Sequence, residues 1–510
     1  MKQAVPSPAP ARHLLHRLAA PGGISLLLIV AVTIFRLFYV PHLELVGDEA
    51  YYWLWAKHPD YCYLDKGPMT PFFIAAGTTL FGTTTLGVRL FAILLSAGTA
   101  AGIYVLARRL FNSRVALHST VLALVIPLFT VGSILMTIDT VYIFFWTWAA
   151  VAFWNAVETQ KTGAWLATGL LVGGGILSKY TAATELLTFL LFCCWHGAAR
   201  RSLRHPGFYL MLATALLFFA PAIVWNIQHH WPTVHWLSHR GSLDQHFQIS
   251  FAEAFKFIGS QAGVISPLLF GALIWAVFPS RLAAEAQPGM RYVRSLFLPL
   301  FLLYLLLSFQ RAAQANWAAA SYIGGTILIA ARCEPLWQRR AWAQFAAGLA
   351  LTVALVETVA LHNTTWLHLP RGKDPLDRAR GSRDLAGQIE QLQQASGASF
   401  IVANKYMTAS LLSFYLPGHP VTFMPVDTPP FNQFIIWPTY REKFTSGSAL
   451  YVSDFAKFPK SLKTDFPNIQ PIAEIHTRQD GRAIGIFHVY WCGRAGMSYN
   501  PKQPSTMASE

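Results

Sequence analysis

The chain has 510 residues, of which 54% are hydrophobic and only 12% charged, about half the charged share of a soluble domain. A mean hydropathy of +0.38 excludes a soluble enzyme carrying one anchor and points to a polytopic membrane protein. The net charge of +15 does not indicate nucleic acid, because the basic residues gather in short loops between apolar runs, as membrane topology requires.

An apolar helix spans a bilayer with about 20 residues. In chain order the candidate spans are 24–40, 85–107, 115–135, 140–157, 164–178, 180–197, 207–226, 254–278, 295–309, 317–332 and 342–361, about eleven in all. Arg12 and Arg17 precede the first run and no small-residue cleavage site follows it, so a retained first helix is expected rather than a signal peptide. Residues 68–81 are apolar but short, and read as an interfacial helix lying along the membrane. The stretch 164–195 is interrupted by Gly173-Gly174-Gly175, Lys179 and Glu185. It reads as two short helices joined by a turn at Ser178-Lys179-Tyr180 near the outer face. No heptad pattern and no internal repeat is visible.

Lys and Arg orient these spans. One set of loops carries Lys2, Arg12, Arg17, Arg108, Arg109, Arg114, Lys161, Arg200, Arg201, Arg204, Arg281, Arg291, Arg294, Arg332, Arg339 and Arg340. The opposite set carries only Lys57, Lys66, Lys179, Arg240 and Arg311. The positive-inside bias therefore places the amino terminus in the cytoplasm, and Asp48, Asp139 and the carboxyl-terminal segment on the other side.

After His362 proline, glycine and charge return. Helices are expected at 384–394 and 408–416, and strands at 399–402, 421–424, 449–452 and 484–490. Their alternation predicts a small α/β domain over 363–493, outside the membrane, following a membrane domain over 1–362. The tail 494–510 is expected to be disordered. The cysteines show no metal-ligand spacing, and a disulfide between Cys62 and Cys492, which alone share an oxidising face, is not favoured.

The chemistry gathers on the outer side. Gly47-Asp48-Glu49-Ala50-Tyr51-Tyr52-Trp53 sets two adjacent carboxylates just past the first apolar run, where a charge costs several kcal/mol unless it is solvated or paired. Asp48, Glu49 and Asp139 are the catalytic candidates. Glu49 is left open between orienting Asp48 and binding an acceptor amine or a metal. Lys66, Lys179 and Arg240 are candidates for holding a phosphate at headgroup depth, and Tyr52, Asp65, Arg311 and Asn316 for lining the substrate site. A carboxylate beside an acceptor deprotonates its attacking hydroxyl or amine, or stabilises positive charge on a sugar. His229 and His230 do not argue for a metal, since adjacent histidines point in different directions on most backbones. No nucleotide-binding glycine motif occurs in the outer segments, and no cofactor is expected.

Read together, Asp48-Glu49-Ala50-Tyr51-Tyr52-Trp53, Asp65-Lys66-Gly67-Pro68-Met69, Asp139, Leu177-Ser178-Lys179-Tyr180-Thr181, Trp225-Asn226 and Ala315-Asn316-Trp317 resemble the bacterial lipid-linked glycosyltransferases related to protein O-mannosyltransferases and to the aminoarabinose transferase of lipid A. The resemblance covers about the first 330 residues. It implies a GT-C fold, a polyprenyl-phosphate sugar donor and inversion at the sugar carbon, and the acceptor is expected to be an envelope glycolipid such as lipid A or lipopolysaccharide core. By the same resemblance Asp48 is the catalytic carboxylate and Lys66 meets the donor phosphate. The family often has Lys-Pro-Pro where this chain has Lys66-Gly67-Pro68, and Glu-Ala-Asn-Trp where it has Gln314-Ala315-Asn316-Trp317. The expectation is thus a monomeric inner-membrane glycosyltransferase among membrane lipids, its active site facing the periplasm. A protein O-glycosyltransferase is the alternative within the class. A transporter or flippase of lipid-linked sugar is the rival outside it, and would place ionisable groups near the bilayer midplane and show repeats.

Overall fold

A computed structural model describes residues 18–240, 249–279, 288–310, 313–370, 373–425, 427, 431–479 and 481–499, with the backbone alone at 237–240. Lys2, Arg12, Arg17, Arg281, Arg311 and the tail beyond 499 lie outside the described residues, as does the side chain of Arg240. The chain builds helices α1 (Pro21–Tyr39), α2 (Gly47–Lys57), α3 (Met69–Phe81), α4 (Thr85–Leu110), α5 (Ser113–Val125), α6 (Pro127–Gly132), α7 (Ile138–Thr159), α8 (Thr162–Ile176) and α9 (Thr184–Trp195). There follow α10 (Pro206–Leu217), α11 (Ala220–Gln228), α12 (Pro232–Arg240), α13 (Phe251–Ile265), α14 (Pro267–Val277), α15 (Pro288–Ser308), α16 (Ser321–Trp337) and α17 (Ala341–His362).

Among the described residues, six helical stretches are each long and apolar enough to cross a bilayer: 21–42, 85–110, 138–159, 206–228, 288–308 and 341–362. Caps set several starts. The Thr84 hydroxyl accepts the Gly87 N–H at 3.0 Å ahead of α4, and Asn112 Oδ1 accepts the Arg114 and Val115 N–H groups at 2.9 Å ahead of α5. Helix α16 is buried continuously from Ser321 to Arg332, as expected of a helix apolar on most faces.

Two of the expected spans break at a single residue. The run 115–135 breaks at Ile126, because Pro127 opens a new helix and holds its predecessor extended. The run 254–278 breaks at Ser266, whose φ is +82°, and α13 and α14 bend by 109° there. Conversely, Gly173-Gly174-Gly175 does not interrupt α8. A Cβ at Gly173 would lie 2.3 Å from the Phe218 ring, and one at Gly174 2.5 Å from Phe145, so these glycines admit aromatic rings rather than end a helix. The break falls at Leu177-Ser178-Lys179, where the turn between two short helices is expected.

Beyond α17 the chain adds α18 (Ser382–Ser396), β1 (Phe400–Ala403), α19 (Tyr406–Tyr415), β2 (Ala449–Ser453), β3 (Asn468–Gln479) and β4 (Arg482–Gly493). The sheet order is β1-β2-β4-β3, with β1 parallel to β2 and the other pairings antiparallel. Alternation divides the strands between two layers. Ile401, Leu450, Val452 and Val489 pack with Leu385, Ile389 and Leu412 of the helices, while Phe400, Val402 and Tyr451 pack with Tyr440, Leu462 and Phe466. The expected strand 421–424 is a single bridge from Phe423 to Val402. Strand β3 is an addition to the expected set. Half of its residues are exposed, and its register shifts beside Pro471, which has no N–H to donate.

The sheet domain is seated on α2. The Tyr51 hydroxyl accepts the Gln433 N–H at 2.6 Å, and Gln433 Oε1 accepts the Leu64 N–H at 2.8 Å. Glu44 accepts the Ser382 N–H at 2.6 Å and so caps α18 from outside the domain. Burial holds the Glu44 carboxyl above its ordinary range, against those backbone hydrogen bonds.

Candidate active site

The amino-terminal turn of α2 presents Asp48 and Glu49 in succession, and successive helical residues point about 100° apart. Glu49 turns inward and is fully buried. Arg89 of α4 donates to it twice, Nε to Oε1 at 2.8 Å and a terminal nitrogen to Oε2 at 2.5 Å. The Met136 N–H at 2.8 Å and the Val46 N–H at 3.0 Å complete the shell. Arg89 also donates to the Leu43 and Glu44 carbonyls. The catalytic expectation for Glu49 is corrected accordingly: its carboxylate is fully occupied, has no open face, and braces the loop that carries Asp48. Asp48, one position earlier, faces a cavity and accepts a hydrogen bond from the Tyr406 hydroxyl of α19 at 2.9 Å.

Asp139 lies in the first turn of α7, where an acid is favoured by the helix dipole. Its two oxygens have different partners. Lys179 Nζ lies 2.7 Å from Oδ1, and Asn316 Nδ2 donates to Oδ2 at 2.5 Å. Lys179 also sits 5.5 Å from the centroid of the Tyr142 ring. The Asp139 and Lys179 side chains are 14% and 12% exposed, which leaves a ligand access to a mostly enclosed pair.

Lys66 reaches the same cavity from the loop before α3. Its ammonium pairs with Asp65 at 2.5 Å and lies 4.9 Å from the Trp236 ring centroid. Gly67 explains why this loop meets the Lys179 turn. The Met69 N–H donates to the Leu177 carbonyl at 3.2 Å, and a Cβ on Gly67 would stand 2.1 Å from that same oxygen.

The cavity so formed has a volume of about 490 Å³. It gathers Asp48, Tyr52, Asp65, Lys66, Asp139, Lys179 and Asn316 from the expected set. Burial, then the nearby Asp48 charge, pushes the Tyr52 hydroxyl well above its ordinary value, so it lines the cavity as a neutral phenol. Asp48, Asp139 and Asn316 also face a second cavity of about 870 Å³, so they stand where two spaces meet. Arg240 and Arg311 are not placed, the first by its side chain and the second entirely. Among the described residues no three His, Cys, Asp or Glu side chains converge as a metal site, and His229 is stacked on Trp225 at 4.2 Å between centroids. All five cysteines are free.

Sequence reasoning missed Tyr406, Arg89 and Trp236. Arg89 had a signal, since an ionisable residue inside an apolar run has a partner or a task. Tyr406 had none, because its partner lies 358 residues away.

Residues 65–225 match the family model described as dolichyl-phosphate-mannose-protein mannosyltransferase. The chain is 26% identical over 395 residues to the lipid A galacturonosyltransferase RgtD of Rhizobium johnstonii, covering 76% of this chain and 81% of that one. It is 28% identical over 185 residues, 35% of this chain and 34% of the relative, to the undecaprenyl phosphate-alpha-4-amino-4-deoxy-L-arabinose arabinosyl transferase 1 of Pseudomonas fluorescens. The fold matches the crystal structure of ArnT from Cupriavidus metallidurans bound to undecaprenyl phosphate, with a TM-score of 0.60 at 17% identity, covering 93% of this chain and 98% of that one. This multi-pass membrane chain has the GT-C glycosyltransferase fold and is similar in sequence to lipid-linked glycosyltransferases.

Proposed function

We propose that this enzyme transfers a sugar from a polyprenyl-phosphate donor to lipid A or to the lipopolysaccharide core, working as a monomer at the periplasmic face of the inner membrane. Residues 1–362 form the catalytic membrane domain in this reading, and 363–493 a periplasmic domain that closes over it. The observation that carries the reading is the position of Asp48. It stands at the junction of two cavities, one of which holds Lys66 and Lys179. The relatives named for lipid A and for undecaprenyl phosphate support the choice of substrates.

The donor phosphate sits beside Lys66 and Lys179, sharing them with Asp65 and Asp139. Asp48 takes the proton of the acceptor hydroxyl as that oxygen attacks the anomeric carbon from the face opposite the phosphate. The bond to phosphate breaks, its electron pair leaves with the polyprenyl phosphate, and the configuration inverts. The two ammonium groups stabilise the departing charge. The loop bias of lysine and arginine supports the periplasmic orientation.

Mass spectrometry of lipid A and core from cells with and without this protein tests the proposal. The expected result is loss of one sugar mass from the lipopolysaccharide. Unchanged lipopolysaccharide with loss of a glycan from envelope proteins would instead identify a protein O-glycosyltransferase.

A further inference from the structure

Helix α1 turns most of its side chains outward, as Phe35 at 53% and Phe38 at 74% exposure show. Arg36 is an exception, buried to 3% in the outer part of that helix. Its guanidinium lines the larger cavity and makes no hydrogen bond or ion pair with any described residue. A guanidinium stays charged at any physiological pH, and an unpaired buried charge is strongly disfavoured. Lys66 and Lys179 of the smaller cavity are, by contrast, each matched by a carboxylate. A second arginine, the exposed Arg378 from the start of the periplasmic domain, lines the same cavity. Much of the remaining wall is apolar, with Ile103, Leu128 and Ile143 among its side chains. The cavity wall therefore holds two carboxylates, Asp48 and Asp139, two arginines, and apolar surface besides.

Taking the acceptor to be a glycolipid, as in the proposed function, we propose that Arg36, assisted by Arg378, binds an anionic group of that acceptor, a phosphate or carboxylate on its headgroup. The apolar wall takes acyl chain, and the charge contact fixes which acceptor hydroxyl reaches Asp48. This makes Arg36 a specificity-determining residue on the acceptor side, separate from the lysines that face the donor.

Native mass spectrometry of the purified full-length protein, titrated with lipid A carrying its phosphates, with phosphate-stripped lipid A and with undecaprenyl phosphate, tests this. Arg36→Gln should weaken binding of phosphorylated lipid A by about tenfold or more. It should leave phosphate-stripped lipid A and undecaprenyl phosphate unchanged, and Arg36→Lys should restore part of the loss. Arg378→Gln, at an exposed position that tolerates substitution, should move binding in the same direction by less, and keeps the test open if Arg36→Gln fails to fold. Equal binding of phosphorylated lipid A by wild type and by both glutamine variants overturns the subsite. So does equal loss of both forms of lipid A, which marks a structural role. Weakened binding of undecaprenyl phosphate alone assigns the cavity to the donor and overturns it too. If wild type binds undecaprenyl phosphate but no lipid A, the acceptor assigned in the proposed function falls together with the subsite.

Discussion

The Tyr406 hydroxyl donates a hydrogen bond of 2.9 Å to Asp48 Oδ1, joining the carboxyl-terminal sheet domain to a carboxylate of the candidate site. The contact survives only while α19 stays seated on α2, where Gly47 leaves room for Met407; a Cβ at Gly47 would stand 2.4 Å from the Met407 Cβ. Tyr406 thus positions Asp48. A hydrogen bond to a charged group contributes about 1.5–3 kcal/mol. Tyr406→Phe should therefore lower kcat by about tenfold or more, with the donor KM near that of wild type. A variant that instead raises the donor KM at unchanged kcat would place Tyr406 in donor binding.

Asp48→Asn removes the proposed proton acceptor while keeping shape and the hydrogen bond from Tyr406. Loss of a general base lowers rates by about 10²–10⁴-fold. Transfer should fall by that order while donor binding and thermal stability stay near wild type. Near-normal turnover by the folded variant would remove Asp48 from the chemistry.

Glu49→Gln gives the opposite signature. The neutral amide leaves the Arg89 guanidinium buried with only carbonyls as partners, and breaking a buried pair in this way costs about 3–5 kcal/mol. The expected outcome is poor accumulation and a lowered melting temperature. A stable Glu49→Gln protein lacking activity would restore Glu49 to the chemistry.

Much of this site was legible in the sequence, residue by residue. Asp48, Asp65, Lys66, Asp139, Lys179 and Asn316 each stand out as polar groups flanking apolar runs, where a charge needs a reason. Their convergence was not legible, because it depends on backbone contacts between distant turns, such as the Met69–Leu177 hydrogen bond. The function of Glu49 was hidden by adjacency: two neighbouring acids look alike in sequence, yet a 100° turn sends one to the cavity and the other to Arg89. The turn at Ser178-Lys179-Tyr180 was legible from its polar residues between apolar runs, while the packing role of Gly173-Gly174-Gly175 was not, because it depends on Phe218 and Phe145 from other helices. Strand β3 escaped notice because it is solvated, carries Pro471 and draws its stability from β4. Arg36 was readable on the same grounds as Arg89, as a charge inside an apolar run.

Gly67→Ala tests how the two lysine-bearing loops are joined. The added Cβ would meet the Leu177 carbonyl oxygen at 2.1 Å, and that oxygen belongs to backbone, so one loop has to move. Lys66 then shifts relative to Lys179. Donor KM should rise by about tenfold, on the scale of one weakened charge-assisted contact. Gly163→Ala, at the open start of α8 where nothing lies within 4 Å, should leave turnover unchanged. Equal effects of the two alanines would show that Gly67 plays no special part in assembling the site.

Asp374 fastens the carboxyl-terminal sheet domain to the segment that follows α17. Its buried carboxylate accepts the Thr364 hydroxyl at 2.7 Å, Arg380 at 2.9 Å and Arg482 of β4 at 2.7 Å. Burial opposes ionisation, but the Thr364 hydroxyl, the Leu376 N–H and the Arg380 guanidinium outweigh it and hold the carboxyl below its ordinary value of 3.8. The sign follows directly. The fold favours the ionised form, so the contribution is complete at pH well above 3.8 and is lost as pH falls through the lower folded value. Asp374→Asn should destabilise the full-length protein by about 1.5–3 kcal/mol near neutral pH, since Arg380 and Arg482 lose their nearer carboxylate and keep only Asp377, at 4.0 and 3.7 Å. Below the ordinary carboxylate value the gap between wild type and variant should narrow. Thermal melts of both proteins from neutral to acid pH measure this, and a gap that is constant across the range would show that the Asp374 charge does not hold the domain in place.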